Sequence, residues 1–268
     1  MTVSMQLDRW PTEHRAAFWT GPNGASTYGD PTKRYALASV TKPLFAYAVL
    51  IAVEEGSLAL DTPAGPERAT IAHLLAHASG VGEDLAQPLA GVERRRIYSN
   101  LGFELLGDAL TAATGMPAAE YFHLALVEPL GLTETALTGS PAYGAVSSVG
   151  DLTKVVEELL SPTLLHPDTL ATATTPTFPE LTGVLPGYGR HDPNPWGLGF
   201  EIRGEKSPHW SSRFNSPATY GHFGKAGTLL WVDPVARVGC VALSDRDFGP
   251  WAQEVWPPMA DAVLAEVG

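Results

Sequence analysis

The sequence predicts an α+β fold in which an antiparallel sheet is built from both chain ends, flanked by helices, with a mainly helical region inserted. Short apolar segments bounded by Gly, Pro and Asn occur near both ends, which is typical of antiparallel strands. Between them, apolar residues recur every three or four positions, which indicates helices with one buried face. The chain has 268 residues, enough for one large domain or two closely joined ones.

The N-terminal part predicts a hairpin and then a long helix, and the C-terminal part predicts strands and a closing helix. The hairpin covers residues 15–20 and 25–29, and the long helix ends before Gly56. Further helices are predicted over residues 70–78, 100–114, 117–128 and 148–160, strands over 196–203, 218–223, 228–232 and 237–243, and the closing helix over 250–267. We therefore expect a sheet domain of residues 1–60 plus 196–268 and an inserted helical domain of residues 61–195.

Residues 174–195 are rich in Pro, Gly and Thr. This stretch is too polar and too interrupted to predict a regular element, so it is either a lid over a site or a plain surface loop.

Composition and charge exclude several kinds of partner. Seventeen Lys and Arg against 29 Asp and Glu give a net charge of −12, which argues against nucleic acid or an anionic membrane as a partner. No basic segment followed by an apolar run opens the sequence, and the longest apolar stretch, residues 44–53, is short of the ~20 residues that span a membrane. We expect a cytoplasmic protein. The single cysteine, Cys240, excludes an internal disulfide and is expected in a buried strand.

The long helix carries the first chemical motif. Its apolar stripe comprises Val40, Leu44, Tyr47, Ala48 and Ile51. Ser39 precedes this stripe, and Lys42 lies three residues later, so the two side chains share one face. A neutral lysine can take the proton of a serine nucleophile, but its ordinary pKa of ~10.4 must first fall by about 3 units through burial or a nearby cation. The alternative is a chance spacing of the two residues.

Two later motifs offer partners for this pair. Tyr98-x-Asn100 places a phenol and an amide before a predicted helix, where they can shuttle protons and orient a carbonyl group. Alternatively, Asn100 only caps the helix and Tyr98 only packs. His222-x-Gly224 lies on a predicted strand, where the glycine allows close approach of a substrate or simply a tight turn.

The three motifs together resemble the signature of the penicillin-recognising serine hydrolases. The similar branch contains class C β-lactamases, D-alanyl-D-alanine carboxypeptidases, D-aminopeptidases and related esterases. Stretches between the motifs are also similar to family landmarks: residues 74–81, 128–133, 147–152 and 196–200. The resemblance covers the chain from about residue 15 to its end and implies the family's fold.

The resemblance implies the role of each motif residue. Ser39 would be the acylated nucleophile and Lys42 its proton acceptor. Tyr98 would relay the proton to the leaving group and activate water. Which of Lys42 and Tyr98 is deprotonated stays open, because two nearby groups that titrate near pH ~10 behave as a coupled pair.

The resemblance also implies the substrate-binding residues. Asn100 would hydrogen-bond the carbonyl side of the substrate, and His222 and Gly224 would form the third motif. The backbone N–H groups of Ser39 and Lys225 would form the oxyanion hole. No metal or other cofactor is implied.

The third motif departs from the family pattern at Phe223, where class C β-lactamases usually carry threonine. A hydroxyl there helps to bind the carboxylate of penicillins and D-Ala-D-Ala peptides. Its absence, with the missing export signal, favours an intracellular serine hydrolase that acts on a small-molecule ester or amide. The alternatives are a β-lactamase or D-alanyl-D-alanine carboxypeptidase, and a non-catalytic binding protein with the same fold.

Three other features have two interpretations each. His73 and His77 are spaced like metal ligands on a helix, but no glutamate accompanies them, and we predict no metal site. Arg94–Arg96 either attracts an anionic substrate or is a solvated charge run. Five tryptophans line an apolar acyl pocket or belong to the core: Trp196, Trp210, Trp231, Trp251 and Trp256.

Overall fold

The computed structural model describes residues 1–84 and 87–268. Its α-helices are Val3–Leu7 (α1), Thr41–Glu54 (α2), Ile71–Leu75 (α3), Asn100–Thr114 (α4), Ala118–Phe122 (α5), Val149–Leu160 (α6), Pro167–Ala173 (α7) and Pro250–Val267 (α8). A π-helical turn, His123–Val127, continues α5. Its strands are Arg15–Gly21 (β1), Gly24–Tyr28 (β2), Arg34–Ala36 (β3), Ala136–Leu137 (β4), Ala145–Ser148 (β5), Gly183–Leu185 (β6), Gly189–His191 (β7), Glu201–Ile202 (β8), Tyr220–Gly224 (β9), Thr228–Asp233 (β10) and Val238–Ser244 (β11). A short 3₁₀ turn, Ala38–Val40, joins β3 to α2.

The main sheet has six strands in the order β2-β1-β11-β10-β9-β8. Every neighbouring pair is antiparallel, and β1 pairs with β11 in a register that places Arg15 opposite Ser244. The strands come from the two ends of the chain, and helices cover the sheet. The predicted α+β fold class is therefore confirmed.

Apart from the exposed edge strand β2, the sheet is buried on both faces. Successive side chains of a strand point to opposite sides, and each side meets an apolar core. On β1, Phe18 packs into one apolar core with α2 and α6, and Trp19 packs into another with α1 and α8. At roughly 1.5–3 kcal/mol for each large apolar side chain, these two cores supply most of the stabilisation.

Helix α2 is buried from Thr41 to Ala52 and lies between β9 and the helices α4 and α5. The apolar core around it combines residues of the predicted sheet and helical domains. The proposed division of the chain into two domains stays a prediction.

The strand predicted over residues 196–203 is reduced to Glu201–Ile202. The chain bends at Gly199, whose φ of +90° suits glycine, and a Cβ there would collide with Ala46 of α2. A close approach to α2 therefore replaces the expected strand.

Residues 174–195, for which no regular element was predicted, include the hairpin β6–β7. Three further features escaped prediction. They are α1, five residues long and capped by the Thr2 side chain, α7, seven residues long, and the small sheet β3-β5-β4. These segments are too short for a periodic pattern to develop.

Within the described residues, no helix combines the length and the apolar character that crossing a membrane requires.

Candidate active site

Ser39 lies in the 3₁₀ turn between β3 and α2, and this turn is held from two sides. The N–H of Leu37 donates to Ala145 O at 2.9 Å, and Thr228 Oγ1 donates to Leu37 O at 2.8 Å. Ala38, directly before Ser39, has φ of +46°, a conformation that costs a non-glycine residue roughly 1–2 kcal/mol. The surrounding hydrogen bonds hold Ser39 in this strained turn.

Lys42 lies one turn into the buried helix, with no exposed surface. Its Nζ lies 2.7 Å from Asn100 Oδ1, 3.0 Å from Ala142 O and 3.4 Å from Ser39 Oγ. Among the described residues, no carboxylate forms an ion pair with it. Burial therefore lowers the pKa of Lys42 to about 7, although the charges of Glu83 and Asp84 oppose this shift.

A neutral amine has two N–H donors and one lone pair. Asn100 Oδ1 and Ala142 O can accept the two N–H groups of Lys42, which leaves the lone pair for Ser39 Oγ. The three neighbours of Nζ thus fit the ammonium, which can donate to all three, and the neutral amine, which can accept the Ser39 proton.

Tyr98 contacts Ser39 from the other side. Its hydroxyl donates to Ser39 Oγ at 2.7 Å, and Lys42 Nζ lies 4.6 Å from the centre of its ring. Burial raises the pKa of the Tyr98 phenol well above its ordinary value, which favours the neutral form. Because the pKa of Lys42 is lowered and that of Tyr98 is raised, the two shifts favour Lys42 as the proton acceptor at neutral pH, and this role stays a prediction.

Asn100 is available for this site because another residue caps its helix. The side chain of Ser99 accepts from Gly102 N at 2.8 Å and so caps α4. The alternative that Asn100 serves only as the cap is therefore wrong, and its amide contacts Lys42 instead.

The third motif lies on β9, next to the Ser39 turn. His222 Nδ1 donates to Phe223 O at 2.6 Å, and burial together with the charge of Lys42 lowers the pKa of His222 to about 3, so the imidazole is neutral. A Cβ on Gly224 would collide with Leu37 O and Thr228 Oγ1, so only glycine allows β9 to approach the turn this closely.

Lys225 directly follows β9 and lines the same cavity as Ser39. The two residues whose backbone N–H groups are the expected oxyanion hole therefore face one space. Their role stays a prediction.

The cavity at Ser39 has a volume of about 310 Å³. We call it the serine cavity. Its walls include Tyr98 and His222 of the motifs, and four apolar residues: Leu185, Trp196, Phe223 and Phe248. Of the five tryptophans, only Trp196 lines it; Trp210, Trp231 and Trp256 are buried in the core, and Trp251 packs against Trp256.

Glu201 also lines the serine cavity and is held by a buried cluster. It pairs with Lys206 Nζ, lies 3.0 Å from His209 Nε2 and accepts from Trp210 Nε1 at 2.8 Å. Burial alone would raise the pKa of Glu201, but Lys206 and His209 lower it to about 2. The carboxylate is thus charged and saturated with donors.

Several wall residues were missed by sequence reasoning. Leu185, Pro186 and Gly187 come from the β6–β7 hairpin, and the Pro186-Gly187 pair is a turn signal that could have indicated it. Glu201 and Phe248 carry no local signal, because tertiary contacts alone bring them to the cavity.

His73 and His77 do not act as a pair. His73 Nε2 lies 2.8 Å from Glu93 Oε1, and His77 Nδ1 accepts from Ser99 N at 3.2 Å. Each histidine therefore fixes a different loop.

Comparison with known proteins identifies the class. The family model described as Beta-lactamase matches residues 28–264, so the chain belongs to the beta-lactamase family of serine hydrolases. A crystal structure described as a beta-lactamase from Mycobacterium bovis shares 49% identity and a TM-score of 0.97, with 99% of each chain covered.

Two curated relatives are more distant. A provisionally named D-alanyl-D-alanine carboxypeptidase of Escherichia coli K12 is 23% identical over 59% of this chain and 46% of its own length. Esterase EstB of Burkholderia gladioli is 31% identical over 37% of each chain. The matched region thus spans less than half of either curated relative.

Proposed function

We propose that the protein cleaves an ester or a small amide through an acyl-enzyme on Ser39. The observation that carries this proposal is the position of Ser39 Oγ, 3.4 Å from a buried lysine amine and 2.7 Å from a tyrosine hydroxyl. A serine is a useful nucleophile only when an adjacent base takes its proton, and Lys42 meets that need.

The proposed reaction has two halves. Lys42 accepts the Ser39 proton as Oγ attacks the carbonyl carbon, and the N–H groups of Ser39 and Lys225 stabilise the oxyanion. Each such donor typically lowers the barrier by ~3–4 kcal/mol. Tyr98 then donates its proton to the leaving oxygen or nitrogen and recovers one from Lys42. In the second half, water takes the place of the leaving group and the same proton transfers run in reverse.

The serine cavity supports a small, apolar acyl group. Phe223 packs with Phe248 at a ring distance of 4.8 Å and presents an aromatic wall. An aromatic ring cannot donate the hydrogen bond that a carboxylate at this position would need. Similarity to esterase EstB is consistent with this preference for esters.

A β-lactamase or D-alanyl-D-alanine carboxypeptidase is the second candidate. The similarity to the Mycobacterium bovis chain described as a beta-lactamase favours it. Turnover of a chromogenic cephalosporin at a rate comparable with ester hydrolysis would favour this candidate over the esterase. A non-catalytic protein with this fold is less well supported, because Ser39, Lys42 and Tyr98 are all in contact.

The test is the initial rate of hydrolysis of a short-chain nitrophenyl ester by the wild type and by Ser39→Ala. We expect the rate to fall to background in Ser39→Ala and to be unchanged in the control Ser57→Ala, an exposed serine outside the cavity. Both variants are checked for folding by circular dichroism. A mass increase equal to one acyl group on the wild type alone would identify the covalent intermediate. Equal rates in wild type and Ser39→Ala would overturn the proposal.

A further inference from the structure

A second cavity adjoins the serine cavity. Its volume is about 390 Å³, and it shares Glu83, Tyr98 and Pro186 with the serine cavity, so the two spaces meet at these residues. We call it the arginine cavity, because three arginines line it: Arg95, Arg96 and Arg190. None of the three lines the serine cavity.

Two of these guanidinium groups, those of Arg95 and Arg190, make few hydrogen bonds to the described residues. Arg95 is exposed and donates to Leu89 O at 3.3 Å, and Arg190 is exposed and donates to Thr182 Oγ1 at 3.5 Å. Neither forms a salt bridge with a carboxylate in residues 1–84 or 87–268. Their remaining N–H donors can therefore bind a ligand.

The third arginine, Arg96, is buried. It is 3% exposed, and its guanidinium group donates only to backbone carbonyl oxygens, among them those of Asn194 and Thr177 at 3.1 and 2.9 Å. Burial lowers the pKa of Arg96 to about 10, which still leaves it charged at neutral pH. Its guanidinium group is held by carbonyl oxygens of residues that do not line the arginine cavity, so Arg95 and Arg190 are the arginines whose side chains can bind a ligand there.

The local charge is opposite to that of the whole protein. Against a net charge of −12, the described walls of the arginine cavity include three arginines and one acidic residue, Glu83. Glu83 belongs to the border with the serine cavity, whereas the arginines lie beyond it. An anionic group therefore has a favourable position near Arg95 and Arg190, away from the nucleophile.

Exposed apolar side chains accompany the arginines. Leu89 is 50% exposed and Val184 is 57% exposed, and both line the arginine cavity with Ile97. A ligand that carries an apolar body and a negative charge would cover both kinds of surface. Aryl or alkyl carboxylates have this chemistry.

We infer that the arginine cavity binds the leaving group of the substrate and selects leaving groups that are apolar and anionic. This inference rests on the proposed function. Tyr98 lines both cavities, and its hydroxyl is the proposed proton donor to the leaving group, whereas Ser39 and Lys225 line only the serine cavity. The arginine cavity thus begins at the side of the scissile bond from which the leaving group departs.

The test compares two esters with the same acyl group, 3-carboxyphenyl butanoate and 3-carbamoylphenyl butanoate. They differ mainly in one negative charge. We expect the wild type to prefer the carboxylate, and the ratio of the two kcat/KM values to fall about tenfold in the double variant Arg95→Gln/Arg190→Gln, because charge-assisted hydrogen bonds are lost. The preference should also weaken at high salt, since both arginines are exposed.

Arg94→Gln is the matched control, because Arg94 is exposed and belongs to the same run but does not line the cavity. It should leave the ratio unchanged. A wild-type ratio near one, or an equal fall in Arg94→Gln, would overturn the inference. Ser39-dependent hydrolysis of the neutral ester without any preference would overturn the inference alone and leave the proposed function intact.

Calorimetric titration of Ser39→Ala with each ester measures binding without turnover. It therefore distinguishes failure of this inference from failure of the proposed function. Tighter binding of the carboxylate that is lost when Arg95 and Arg190 are also replaced supports the arginine cavity even if no ester is hydrolysed. Equal binding of the two esters would contradict it.

Discussion

Lys42 is the residue on which the proposed chemistry depends most. Its replacement by methionine keeps an unbranched side chain of similar length in the helix but removes the base. We expect Lys42→Met to slow acylation about 10²–10⁴-fold, the usual contribution of a general base, and to leave the secondary structure unchanged. Stopped-flow measurement of acylation gives the rate, and the exposed lysine variant Lys154→Met is the control. An unchanged rate in Lys42→Met at neutral pH would exclude Lys42 as the base.

The pH dependence of acylation should report the same group. Because burial lowers the pKa of Lys42 to about 7 and the neutral amine is the active form, kcat/KM for a neutral ester should rise with pH, with its midpoint near 7. The charge of Glu83 raises the pKa of Lys42. Glu83→Gln should therefore move the midpoint to lower pH, and Glu67→Gln, an exposed carboxylate outside the cavity, should not. A midpoint that moves upward in Glu83→Gln would contradict this assignment.

Among the structural elements, β9 and the Ser39 turn depend on each other. In Gly224→Ala the added Cβ meets Leu37 O and Thr228 Oγ1, so β9 or the turn must shift. Overpacking of this kind costs about 1–3 kcal/mol of stability, and displacement of the nucleophile by ~1 Å costs about 10²-fold in rate. Urea unfolding and ester hydrolysis measure the two effects. Gly139→Ala, whose Cβ has its nearest neighbour at 3.6 Å, should change neither.

The stability of the region around β8 depends on the buried cluster formed by Glu201, Lys206, His209 and Trp210. In Lys206→Met the charge of Glu201 loses its main partner inside the protein, which should cost about 3–5 kcal/mol in the free energy of unfolding. The double variant Glu201→Gln/Lys206→Met should recover part of this loss, because no buried charge remains unpaired. Urea unfolding of the wild type, Lys206→Met and the double variant measures their free energies of unfolding. A double variant less stable than Lys206→Met would contradict the pairing.

The lowered pKa of Glu201 in the same cluster predicts that the protein loses stability at low pH. The pKa of Glu201 is about 2 in the folded protein and ~4.3 in the unfolded chain. The unfolded state therefore binds the proton first as pH falls. This contribution to stability is complete above pH ~4.3 and is lost as the pH falls towards 2. In Glu201→Gln, the acid side of the stability profile should be flatter.

At the scale of the whole molecule, Cys240 can report on unfolding. It lies in β11 with no exposed surface, and burial raises the pKa of its thiol. The native protein should therefore resist maleimide, and labelling should proceed only as fast as the sheet opens. The labelling rate, compared with the unfolding rate in the same urea series, checks this. Rapid labelling in the absence of urea would show that β11 opens locally.

The sequence predicts the geometry of residues that are close together in the chain better than it predicts surfaces formed by distant segments. Ser39 and Lys42 could be identified because a spacing of three residues places both side chains on one face, and an antiparallel sheet was predicted from the strand patterns at both chain ends. The Ala142 carbonyl that accepts from Lys42 carries no sequence signal, because any residue supplies a carbonyl oxygen. Glu201 was missed because distant contacts bring it to the cavity, whereas the β6–β7 hairpin was missed although Pro186-Gly187 is a local turn signal.

Because β1 pairs with β11, strands from the two ends of the chain must both be synthesised before the sheet can form. The nascent chain exposes β1, the Ser39 turn and α2 long before β9 and β11 are made, and these later strands complete the sheet and hold the turn. Such long-range pairing is slow and leaves apolar strands unpaired in the meantime. We therefore expect the Ser39 turn to be completed only after the C-terminal strands have been synthesised.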